Sequence, residues 1–107
     1  MHEEDWVIEI RTGKLGVKTP AGEATQIQFN EIKGIAIETN DSGPWGADVI
    51  WHVTDGKITI HFPMGATGEK EVVNELMKIE GFDHQEMINA MGSVDNSVFI
   101  PLNRTKA

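Results

Sequence analysis

A chain of 107 residues, 39% of them hydrophobic and none of them cysteine, is sized for one domain around one core and excludes disulfides, thiolate catalysis and Cys-based zinc or iron–sulfur sites. Seventeen acidic residues against nine basic ones give a net charge of −8, which is repelled by phosphate backbones and anionic lipid and argues against nucleic-acid and membrane-surface binding. No apolar run nears the about 18–20 residues that span a bilayer, and the acidic Met1–Asp5 segment lacks the basic flank of a secretory signal, so a cytoplasmic location is expected.

The first half reads as strands. Trp6, Ile8 and Ile10 alternate with polar residues, and Leu15 and Val17 continue the alternation after Thr12-Gly13. A two-residue turn at Thr12-Gly13 sets Ile10 opposite Leu15 and Ile8 opposite Val17. Pro20-Ala21-Gly22-Glu23 is a second turn, and the strand after it is expected to bring Ile27 opposite Val17 and Phe29 opposite Leu15. Ile35 and Ile37 resume the pattern. Asp55-Gly56, flanked by alternation on both sides, predicts a tight hairpin over 48–62 that pairs Val53 with Ile58, Trp51 with Ile60 and Val49 with Phe62.

After Pro63 the period lengthens. Val72, Val73, Leu76 and Met77 form a helical stripe, started by Thr67 or Gly68 and ended by Gly81. Asp83 with Glu86 three residues on resembles a capping box, Phe82 and Met87 stand at staple positions, and Gly92 ends this second helix. Ser97 to Leu102 reads as a last strand. Strands followed by helices predict an α+β fold: an antiparallel curled sheet or open barrel of about six to seven strands with two late helices, in an order similar to a pleckstrin-homology barrel.

Chemistry-bearing residues are sparse. The segment from Glu38 to Asp48 reads as a polar loop with Trp45 at its tip, longer than a hairpin requires, and long loops on rigid scaffolds often bind. Glu38, Asp41, Trp45 and Asp48 are therefore the expected binding residues, with the carboxylates suited to a basic side chain. His52 and His61 share the polar face of the 48–62 hairpin with Asp48, which are ligand types for a divalent metal. The expected register makes them diagonal neighbours about 7–8 Å apart, too far to share an ion without bending, so no metal or cofactor is assigned. Met77, Met87 and Met91 are read as core-packing residues. No serine stands in a nucleophile elbow, and Met64-Gly65-Ala66-Thr67-Gly68 lacks the lysine of a phosphate-binding loop.

Ile35-Ala36-Ile37-Glu38-Thr39-Asn40-Asp41-Ser42-Gly43-Pro44, Asp48-Val49-Ile50-Trp51, Gly81-Phe82-Asp83 and Ile88-Asn89-Ala90-Met91 together resemble a family of small uncharacterised bacterial proteins. The resemblance runs from about residue 30 to 100 and implies a bacterial cytoplasmic protein, but no activity, cofactor or catalytic residue. The expected function is a non-enzymatic interaction module, of the kind that masks a basic protein partner. The alternative is a small metal- or ligand-dependent enzyme built on His52, His61 and Asp48.

Overall fold

Among the described residues, seven antiparallel strands divide between two sheets, and two α-helices stand between the sixth and seventh. The computed structural model describes residues 5–43, 46–92 and 96–104, and the side chains of residues 40–48 lie outside the described set. The first sheet is the meander β1 (Val7–Arg11), β2 (Lys14–Lys18) and β3 (Ala24–Gln28). The second contains β4 (Gly34–Gly43), β5 (Gly46–Thr54), β6 (Thr59–Pro63) and β7 (Ser97–Asn103), in the order β6-β5-β4-β7. The α+β class holds, but the sheets do not close into a barrel. Helices α1 (Glu69–Leu76) and α2 (His84–Met91) pack on β1 and on β7, respectively.

The β1–β2 turn is as expected. Ile8 faces Val17 and Ile10 faces Leu15, because Thr12 and Gly13 both take positive φ (50° and 76°), the requirement of a primed two-residue turn. The next register differs from expectation by two residues: Ile27 faces Leu15 rather than Val17. Thr19 pairs with Glu23 across Pro20-Ala21-Gly22, with Gly22 at φ 91°, a three-residue loop that tightens the hairpin. Phe29 consequently leaves the strand, enters a 3-10 turn and donates its N–H to Gly13 O.

The β5–β6 hairpin is displaced in the opposite sense. Trp51 pairs with Phe62, His52 with His61 and Val53 with Ile60, not with the residues two positions earlier. The cause is Asp55. Its Oδ1 accepts the N–H groups of Lys57 (2.8 Å) and Ile58 (2.7 Å), while Thr54 Oγ1 accepts that of Gly56 (3.0 Å). Side-chain capture of these amides holds the connection open over four residues, and the same bonds keep the Asp55 carboxyl below its ordinary value. A shift of two residues preserves which face is apolar. It costs Ile58 its place in the core, where burial was expected; it is 44% exposed.

One core joins the layers. Ile35, Ile37, Trp51, Val53, Ile60 and Phe62 from the second sheet meet Ile8, Leu15, Val17 and Ile27 from the first, with Val72, Val73, Leu76 and Ala90 from the helices. Met77 and Met87 pack against this core as expected, whereas Met91 is exposed. Helix α1 is anchored at its start: Thr67 forms a parallel bridge with Val7, and Ile8 N–H donates to Thr67 O at 2.9 Å.

Asp83 caps α2 through Oδ1, which accepts the N–H groups of Gln85 (3.0 Å) and Glu86 (3.2 Å). The reciprocal arm of a capping box is absent. Asp83 N–H donates instead to Pro101 O at 2.6 Å, and Glu86 Oε2 accepts from Ile100 N–H at 3.4 Å. The cap therefore also ties α2 to β7, where Ile100 and Pro101 bulge out of register with β4. Asp83→Ala is expected to lower unfolding free energy by about 1 kcal/mol, the usual worth of an N-cap, as a reduced urea midpoint.

Candidate functional site

Strand pairing sorts the second sheet into two faces. Ile37, Trp51 and Phe62 form one row and Ile35, Val53 and Ile60 the next, all turned to the core. The residues between them point the other way. Glu38 lies opposite Ile50 on β5 and Val98 on β7, and Ile50 lies opposite Pro63, while His61, His52 and Ala36 form the adjacent row. Among the described residues no helix or strand covers these rows: Val98 is 62% exposed and His61 and Thr59 are exposed. The face is flat and open, with apolar and ionisable side chains interleaved.

Direct pairing of His52 with His61 corrects the diagonal placement expected from the tighter hairpin. Their Nδ1 atoms stand 2.5 Å apart, and the rings meet edge to face with centroids 4.7 Å apart and planes at 80°. On the far side of His52, Nε2 lies 3.0 Å from Glu38 Oε1. A carboxylate only accepts, so Glu38 holds the proton on His52 Nε2. The two Nδ1 atoms share one proton between them, the donor being set by the tautomer. Partial burial holds the His61 imidazole below the ordinary histidine value, the neighbouring His52 adds to that effect, and Glu38 opposes it.

Among the described residues the carboxylate that meets this pair is Glu38, at His52. Sequence reasoning assigned Glu38 to a loop because Thr39-Asn40-Asp41-Ser42-Gly43 is turn chemistry, yet β4 and β5 stay paired to Asn40–Asp48 and, past a register shift, pair again at Gly43–Gly46. The segment is a long hairpin rather than a loop. Asp41 and Asp48 lie in the hairpin's backbone, on β4 and β5. Their side chains, and Trp45 altogether, fall outside the described residues.

A concavity of about 870 Å3 runs between β1 and α1, bordered by Glu9, Glu71, Glu75, Lys78 and His84. Glu75 is occupied by an ion pair with Lys78 at 2.8 Å, and His84 Nε2 lies 3.0 Å from Met77 O. Its floor is apolar, with Ile8, Val72 and Met77, and its rim is these ionisable side chains. No protein-family model matches the sequence, and no similar curated protein or solved structure was found. The bacterial resemblance of residues 30–100 therefore rests on those residues alone.

Proposed function

We propose that this chain is a non-catalytic interaction domain that docks a basic protein partner on the open face of its four-stranded sheet. The observation that supports this reading is the uncovered row Pro63–Ile50–Glu38–Val98, continued by Ile100 at 51% exposure. Apolar side chains left in water on a regular surface, interrupted by a few ionisable ones, have the makeup of a protein–protein interface. The net charge of −8 favours a basic partner, because complementary potentials accelerate encounter. Glu38 supplies a carboxylate within the face itself, and the long strands β4 and β5, with Asp41 and Asp48 in their backbone, extend the same sheet. A cytoplasmic, bacterial setting suits this reading, as does masking of a basic toxin. No helix among the described residues is long and apolar enough to cross a membrane.

A photo-crosslinking residue placed at Val98, with another at Thr25 on the first sheet as control, tests it in the native cell. The Val98 position is expected to give one dominant adduct, to a protein of high isoelectric point, weakened by added salt. Val98→Asp with Ile100→Asp should reduce capture of that protein at least tenfold at unchanged melting temperature, since truncated interface anchors cost about 2 kcal/mol or more. An acidic captured protein, or equal labelling from Thr25, would overturn the proposal.

A further inference from the structure

The His52–His61 pair points to a chemistry separate from protein docking. The two Nδ1 atoms face one another 2.5 Å apart, so one shared proton reconciles them in the free protein. An ion reconciles them equally. Zinc binds imidazole nitrogen at about 2.0–2.1 Å, so two such ligands in tetrahedral geometry stand about 3.3 Å apart. Reaching that spacing takes a separation of under about 1 Å, within the range of small side-chain rotations. The backbone already supplies the pairing, since His52 and His61 are direct cross-strand partners.

Glu38 makes the arrangement specific. Histidines that ligate metals almost always donate their other ring N–H to a carboxylate, carbonyl or water, which fixes the tautomer and raises the basicity of the ligating nitrogen. His52 has this disposition: Nε2 is held by Glu38 at 3.0 Å, and Nδ1 is turned toward His61. Among the described residues no three of His, Cys, Asp and Glu converge on one point. The described residues thus provide two ligands and a supporting carboxylate, and the open sheet face admits water.

We infer that His52 and His61 form a site for one divalent transition-metal ion, with Glu38 as the carboxylate behind His52 and water in the remaining coordination positions. Imidazole suits zinc, copper and nickel and does not suit magnesium or calcium. Open positions make the site exchangeable rather than structural. The inference does not depend on a protein partner docking on the same face.

The test uses the purified full chain, stripped with a chelator and titrated calorimetrically with zinc chloride and separately with copper chloride. One ion per chain is expected, copper tighter than zinc in line with the usual order for such ligands, unaffected by excess magnesium. Zinc should also raise the melting temperature, because an ion that binds only the folded chain stabilises it. His52→Ala and His61→Ala should each remove both effects. Both residues lie on the solvent-facing rows, so circular dichroism and the metal-free melting temperature are expected to stay as in the parent chain. Glu38→Gln should weaken zinc about 10- to 100-fold without abolishing it, the usual effect of losing a supporting carboxylate. His2→Ala and His84→Ala should leave zinc binding intact. Absence of saturable zinc and copper binding, or binding that survives in the His52→Ala, His61→Ala double variant, would overturn the inference.

Discussion

Trp51→Ala is expected to lower the unfolding free energy by about 3–5 kcal/mol, the usual cost of truncating a core aromatic. Trp51 is fully buried between Ile37 and Phe62 in the central row of the second sheet, and its ring stacks on that of Phe62 with centroids 6.1 Å apart and planes at 6°. Its indole N–H has no hydrogen-bond partner among the described residues. Trp51→Phe should therefore cost clearly less than Trp51→Ala, because it removes an unpaired buried donor while keeping most of the apolar volume. Ile58→Ala provides the internal control. With Ile58 at 44% exposure, a change within about 0.5 kcal/mol is expected, as for other surface positions. Urea titration of the three variants checks the register directly. Equal losses at positions 51 and 58 would restore the two-residue turn and refute the observed pairing.

Gly68→Ala is expected to destabilise the fold by about 2–4 kcal/mol, of which left-handed backbone strain accounts for about 1–2 kcal/mol. Gly68 sits at φ 88° as the N-cap of α1, and a Cβ there would fall on the carbonyl oxygen of Ile8, far inside van der Waals contact. That oxygen belongs to a backbone held on both sides, so the clash must be relieved by moving the start of α1. The Ile8 N–Thr67 O and Thr67 N–Trp6 O bonds are the first to be lost. Hydrogen exchange should show the protection of Ile8 and Thr67 amides falling ahead of the rest of the first sheet. Gly13→Ala makes the contrast. Its φ is also positive, but nothing lies within 4 Å of the added Cβ, so it should incur only the backbone term.

The faces of the elements were legible in the chain, while their partners often were not. Alternation over Trp6–Ile10, Leu15–Val17, Ile35–Ile37 and Trp51–Phe62 reports which side chains turn inward, and a shift of two residues leaves that answer unchanged. Both two-residue slips therefore passed unseen. One arose at Pro20-Ala21-Gly22, the other where the Asp55 carboxylate captured two amides. The second slip decides the outer face, since it turns His52 and His61 from diagonal neighbours into direct partners.

By itself the sequence determined the α+β order, the inward faces, the primed turn at Thr12-Gly13, the Asp83 cap and the acidic charge. Each of these follows from periodicity, from a side chain reaching an amide two or three residues away, or from a sum over residues, and none needs a distant partner. Only the tertiary structure decided the division into two sheets, the place of β7 beside β4, the exposure of the sheet's outer face and the meeting of Glu38 with the histidines. Those depend on backbone pairings between segments many residues apart. There, an offset of two residues is invisible to hydrophobic pattern yet decides which polar side chains touch.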